Sequence, residues 1–254
     1  MTRKRLILLV AFCQSLPAIA EQAINPPGNE FELSYTVTDL VGERAAQGVA
    51  EVVATDEAIR YSVYVPKNYD PDNPPGVMVY ISPTPSGDVP DSWKPVLDSQ
   101  NLIWIGAHQS GNRVLVARRV LFGILAPTVI DKHYRRNNER VYLSGLSGGG
   151  KVASRVATTQ PGLFKGAMYN CGVDPIDVTD ENTLDLVRAN HFVFVTGEHD
   201  QARRPTKKVL RGYKKAGVEN VLLMDIANMS HRNPNSFHFR EAIEYLDSRI
   251  DQSD

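Results

Sequence analysis

The pentapeptide Gly145-Leu146-Ser147-Gly148-Gly149 constrains this chain more than any other segment. It follows the apolar run Val141-Tyr142-Leu143 and precedes residues 150–159, which read as helix. A strand, a tight turn and a helix in that order lift a serine Oγ above the end of a parallel sheet. Glycines flank the serine because its strained backbone leaves no room for neighbouring side chains, and because a helix packs close beneath it. The pentapeptide alone is a weak signal, so its flanks and its downstream partners carry the reading.

The rest of the pattern supplies such a sheet. Phe31 to Val37 and Ile59 to Val65 alternate apolar and polar residues, as half-buried strands do. Val77 to Ile81 is continuously apolar, as expected of a strand covered on both faces, and Leu102 to Ala107, Val141 to Leu143, Gly166 to Tyr169, His191 to Thr196 and Val221 to Met224 are further strands. Between them lie helices. Val114 to His133 is the longest, with a kink expected at Pro127. Val152, Ala153, Val156 and Ala157 form an apolar stripe after the serine, and Phe239, Ile243, Leu246 and Ile250 form another in the last helix. Antiparallel N-terminal strands followed by alternating strand and helix predict an α/β fold, a mostly parallel sheet with helices on both faces.

Composition sets limits. The chain has 254 residues, 42% hydrophobic and 22% charged, which suits one α/β domain over 21–254. Residues 1–20 read as a signal peptide: a basic Arg3-Lys4-Arg5, an apolar Leu6 to Leu16 too short to span a membrane, and Ala18-Ile19-Ala20 for cleavage. The expected destination is secreted or periplasmic. The alternative, lipid attachment at Cys13, would need a small residue where bulky Phe12 stands. Cleavage would take the formal charge from −1 to −4, because Arg3, Lys4 and Arg5 are the only charged residues removed. No drive towards nucleic acid or anionic lipid follows, and no membrane insertion is expected. Cys171 would remain as a single cysteine, read as a small buried residue, with a reactive thiol as the alternative.

A serine hydroxyl is a poor nucleophile without a base, and the base needs a third group to orient it. In sheets of this kind the reactive groups sit beyond the carboxyl ends of strands. Asp200, in the turn that leaves the strand 192–196, is the preferred acid, with Glu198 second. His231, in the loop after the last strand, is the preferred base. His108 and His133 precede the serine, His191 begins a strand at the opposite edge, His238 falls at a helix start, and His199 cannot easily turn back on Asp200. An oxyanion needs donors. One is the N–H of Gly148 at a helix start; the second is assigned to Thr84, with Ser86 as fallback, since Pro83 and Pro85 have no N–H.

The stretch from Arg140 to Gly150, with Asp200 and His231 behind it, resembles the serine esterases of the α/β-hydrolase superfamily. It is most similar to secreted polyhydroxybutyrate-depolymerase and feruloyl-esterase-like proteins. Ser147, Asp200 and His231 also follow the chain order of that superfamily's triad. The resemblance implies the α/β-hydrolase fold and hydrolysis of carboxylic esters with no metal or organic cofactor. One departure stands after the third strand, where Ser82-Pro83 replaces the His-Gly frequent in those enzymes, leaving the oxyanion loop and acyl pocket open.

Substrate signals are coarser. The polar loop His108-Gln109-Ser110-Gly111-Asn112 should sit beside the serine, where His108 and Gln109 suit a hydroxylated leaving group such as a sugar; an ordinary polar connection is the alternative. Residues 174–190 suggest a small polar lid. Seven cations between Arg203 and Lys215 read mainly as a helix's wet face, with attraction of an acidic polysaccharide as the alternative. The expected substrate is a small or carbohydrate-linked ester. The rival expectations are a prolyl-oligopeptidase-like peptidase and a catalytically silent binding protein of the same fold. Oligomeric state is not legible.

Overall fold

Two kinds of apolar pattern give two kinds of strand. The computed structural model describes residues 29–248; the expected leader over 1–20 and Ile250 lie outside them. The alternating segments become β1 (Glu30–Thr36) and β2 (Ala58–Tyr64), paired antiparallel. The continuous apolar segments become β3 (Gly76–Ile81), β4 (Leu102–Ala107), β5 (Val141–Leu146), β6 (Gly166–Asn170) and β7 (His191–Gly197). With β8 (Val221–Ile226) these run parallel, β2 joining β4 antiparallel, in the order β1-β2-β4-β3-β5-β6-β7-β8. The sequence of connections reverses between β3 and β5. That is the switch point at which α/β sheets open a crevice beyond their carboxyl ends. This is the α/β-hydrolase architecture.

The pleat sends alternate residues to opposite faces, and both faces are covered. Val77, Val79, Ile81, Val141 and Leu143 pack with α4 (Val116–Asp131), α5 (Gly148–Thr159), α6 (Glu181–Arg188) and α7 (Arg203–Lys215). Met78, Tyr80, Trp104 and Tyr142 pack on the other face with α3 (Lys94–Ser99) and α8 (Ser236–Asp247). Each fully buried large apolar side chain contributes about 1.5–3 kcal/mol, so two closed faces can hold the fold with no disulfide. Trp93 joins that second face to the loop before α8. Its ring stacks on Phe239 at 3.8 Å and its Nε1–H donates to Pro234 O at 3.0 Å.

The periodic segments land within a few residues of expectation. Pro127 lies inside α4. Two short helices, α1 (Val37–Val41) and α2 (Glu43–Gln47), stand where only a strand end was expected. Thr36 starts α1 through a capping box with Asp39, which overrides the β preference of Val37. Residues 174–190 do not simply form a lid. Their second half is α6, the crossover between β6 and β7, whose Val187 is buried and whose Arg188 Nε–H donates to Ala216 O. Among the described residues no helix is long and apolar enough to cross a membrane.

Candidate functional site

Ser147 stands where β5 ends and α5 begins, with φ 56° and ψ −119°. A non-glycine residue in that region costs on the order of 1–3 kcal/mol, and the surroundings hold it there. Its N–H donates to Asn170 O on β6 at 2.8 Å. The helix lies so close beneath that a Cβ at Gly149 would stand 1.9 Å from Ile81 O, and one at Gly172 would stand 2.2 Å from Ser147 O. Only glycine fits at these two points. The expected strained turn with close helix packing is what the chain forms.

Asp200 and His231 meet. The imidazole Nδ1–H donates to Asp200 Oδ1 at 2.7 Å, and the Asp200 side chain is fully buried while His231 stays partly exposed. Asp200 Oδ1 also accepts from Ala202 N–H at 2.9 Å, and Oδ2 accepts from the Thr196 hydroxyl at 2.8 Å. Burial alone would raise the Asp200 carboxyl. The bonds from His231, Ala202, Thr196 and the Cys171 thiol outweigh it and hold the group below the ordinary aspartate range. An ionised Asp200 keeps the proton on Nδ1 and leaves Nε2 as the basic nitrogen. Glu198 points elsewhere, accepting the Asn228 N–H at 3.1 Å. His191 and His238 lie at the start of β7 and in the first turn of α8.

The loop bearing His231 is tied to the residues beside the serine. Cys171, next to Asn170, donates its thiol to Arg232 O at 3.4 Å. Asn170 Nδ2 donates to Asn233 Oδ1 at 3.1 Å, and Asn233 Nδ2 donates to the Tyr80 hydroxyl at 3.1 Å. Cys171 is 1% exposed, has φ 52°, and its thiol is pushed up to about 12, first by burial and then by the Asp200 carboxylate. It matches the expected small buried residue after a strand, and it also touches the acid, which its spacing did not reveal.

Cys171, Asp200 and His231 place their donor atoms within 4.8 Å of one another. A tetrahedral metal at about 2.0–2.3 Å from each ligand holds its donors roughly 3.3–3.7 Å apart. The 2.7 Å between Asp200 and His231 is instead the separation of a shared proton. The trio fits a hydrogen-bonded cluster better than a metal cage.

The loops after β3 and β4 close the opposite side. Gly148, the first residue of α5, has its Cα against the Asn112 carboxamide: a Cβ there would stand 2.2 Å from Asn112 Oδ1. Thr84 is exposed, and its N–H donates to Ser82 Oγ at 3.1 Å, a bond it must share or exchange to serve an oxyanion. His108 is turned into structure. It is buried, its Nδ1 accepts the Gly87 N–H at 3.3 Å, and its Nε2 lies 3.2 Å from Glu32 Oε1 without hydrogen-bond geometry. Gln109 is exposed, with φ 52° and its N–H on Pro85 O at 2.6 Å. Asn112 is the residue of this loop that reaches the serine turn. The sequence offered no signal for it beyond membership of the loop.

No protein-family model matches the chain, and no curated protein sequence matches it. Solved structures do. A ferulic acid esterase superposes with TM-score 0.61 at 14% identity, over 87% of this chain and 99% of that one. LpqC, a poly(3-hydroxybutyrate) depolymerase from Bordetella parapertussis, gives 0.58 at 16% identity over 84% and 93%. A thermostable esterase gives 0.58 at 14% identity over 88% of this chain, which spans 62% of the esterase's length. Dipeptidyl peptidase 4 of Porphyromonas gingivalis gives 0.56 at 18% identity over 75%, and this chain spans 34% of it. Identities this low speak for architecture alone. The strained serine turn and the sheet order, together with these neighbours, make this a chain of α/β-hydrolase fold that resembles the superfamily's esterases.

Proposed function

We propose that the protein is an exported serine hydrolase that cleaves small or carbohydrate-linked carboxylic esters. Its nucleophile is Ser147, its base His231 and its orienting acid Asp200. The observation that carries the reading is the Asp200–His231 pair, hydrogen-bonded at 2.7 Å and tied by neighbouring residues to a serine strained at φ 56°. In the first step His231 Nε2 takes the Ser147 proton while Oγ bonds to the ester carbonyl carbon. The tetrahedral oxyanion is received by the N–H of Gly148, at a helix start, and by Thr84. Collapse breaks the ester C–O bond, and His231 returns the proton to the departing alcohol. Water, deprotonated by the same imidazole, then releases the acid and restores Ser147.

Esters are put ahead of peptides on the likeness to the ferulic acid esterase, which superposes at TM-score 0.61, against 0.56 for the dipeptidyl peptidase. The test is a panel of aryl acetates, butyrates, ferulates, sugar acetates and a prolyl peptide, run beside Ser147→Ala. Turnover of at least one ester should fall by about a thousandfold or more in the variant, and a fluorophosphonate should label Ser147. Near-wild-type turnover by Ser147→Ala overturns the assignment, and an unreactive Ser147 returns the chain to the silent binding proteins. Export is tested separately: mass spectrometry of the exported protein should find an N-terminus near Glu21, and an intact Met1 would refute it.

A further inference from the structure

Arg119 is a buried cation with no anion to meet it. It is 3% exposed, and among the described residues no carboxylate pairs with it. Its near neighbours Ile81, Phe122, Gly123 and Ala126 leave a space too tight for water. Desolvation alone acts on it, pulling its affinity for the proton down. It also stands in the first turn of α4, the end of a helix where positive charge is least welcome. Burying a guanidinium under these conditions is costly.

Its hydrogen bonds indicate what that cost serves. Nε–H donates to Ser110 O at 2.5 Å and an Nη2–H donates to Ser82 O at 2.9 Å. Ser82 opens the loop after β3 and Ser110 lies in the loop after β4, and both are buried. From there the two loops are zipped together: Asn112 N–H donates to Pro83 O at 3.0 Å, and Gln109 N–H to Pro85 O at 2.6 Å. The first of these bonds matters most. Pro83 O and Thr84 N–H belong to one peptide group, so the donation from Asn112 polarises the Thr84 N–H towards a stronger donor. The same Asn112 carries its carboxamide to Gly148.

We propose that Arg119 is a positioning residue for the oxyanion site. Its guanidinium clamps the loops after β3 and β4 so that Thr84 and Asn112 are held against Gly148, and its uncompensated charge favours the anion formed at Ser147. The proposal rests on the ester-hydrolase reading above, so its test needs one arm free of activity.

The experiment compares Arg119→Met and Arg119→Lys with Arg118→Met, a neighbour on α4 that pairs with Glu57. Kinetics on the best ester, fluorophosphonate labelling and amide hydrogen exchange are the readouts. Arg119→Met should lower kcat by about 100-fold with KM within about threefold, the size of a lost oxyanion donor. Labelling of Ser147 should slow alike. Arg119→Lys, which keeps the charge but reaches one carbonyl, should lose about tenfold, and Arg118→Met should stay within about threefold. Exchange at Gln109 and Asn112 should quicken in Arg119→Met and not in Arg118→Met. A kcat loss no larger than that of Arg118→Met, or an effect on KM alone, overturns the proposal. If Arg119→Met does not fold, Arg119→Lys decides by the same split. If the wild type neither turns over esters nor labels, the hydrolase reading fails. Exchange then judges the clamp, and unchanged protection at Gln109 and Asn112 ends it.

Discussion

Asp200→Asn isolates the electrostatics of the proposed base. The substitution keeps the volume of a side chain that is fully buried, so packing is nearly conserved. What is lost is a negative charge in contact with His231 Nδ1 at 2.7 Å. At an effective dielectric constant of about 20, unit charges roughly 4.5 Å apart, the separation of the two charge centres, attract by about 3.7 kcal/mol. Taking the 2.7 Å contact itself as the separation gives about 6 kcal/mol. At about 1.36 kcal/mol per decade, the transition state with its imidazolium should lose between roughly 500-fold and 30,000-fold. An amide nitrogen turned towards Nδ1 would add to this by moving the imidazole proton to Nε2, where it blocks the base. The assay is pre-steady-state acylation by an aryl ester, with thermal unfolding to confirm the fold. Acylation within tenfold of wild type would refute the argument, because it would mean that Asp200 does not set the state of His231.

Other expectations follow from single contacts. Cys171, with its thiol pushed up to about 12 and 1% exposure, should react with iodoacetamide at pH 8 at least about 100-fold more slowly than a free cysteine; rapid stoichiometric alkylation would contradict it. Gly149→Ala puts a Cβ 1.9 Å from Ile81 O and should destabilise by about 3 kcal/mol or more in urea, whereas Gly162→Ala, with nothing within 4 Å, should stay within about 0.5 kcal/mol. Arg203 and Lys207 hold the Asp225 carboxyl below its ordinary value, Arg203 most strongly. A depressed carboxyl adds stability above its unfolded pKa and loses it as pH falls through the folded one. Asp225→Asn should therefore be less stable than wild type at pH 7, by up to about 1 kcal/mol, and the gap should narrow as pH falls below the ordinary aspartate range and close once the folded carboxyl is protonated. Melting curves at neutral and acid pH check it, and a gap that persists in acid would show that the ion pairs are not its source.

How much of this could be read from the chain depended on whether the signal was local. β4 was legible to the residue because Leu102 to Ala107 must be apolar to lie between two helical layers. The short α1 was not, because Val37 continues the alternation of β1 and only the Thr36–Asp39 cap breaks it. Asp200 could be preferred to Glu198 because strand ends fix where acids can stand. Asn112 could not be picked from its loop, since its approach to Gly148 depends on the fold of β3's loop as well as its own. Arg119 was hidden for the same reason. In sequence it is one of two arginines in a helix; in space one pairs with Glu57 and the other is drawn inside by two carbonyls.

The two outer strands carry a consequence beyond the site. Among the described residues β1 and β8 end the sheet, and each has polar backbone facing outward. Such margins invite a second chain to add itself as a further strand. Here β1 carries exposed Glu30 and Glu32, bound to Lys94 and Arg60, while β8 carries Asp225 with two cations folded over it. Any molecule docking along either margin would have to strip water from those ions. Charges set along a sheet's margins in this way oppose the edge-to-edge pairing from which fibres grow.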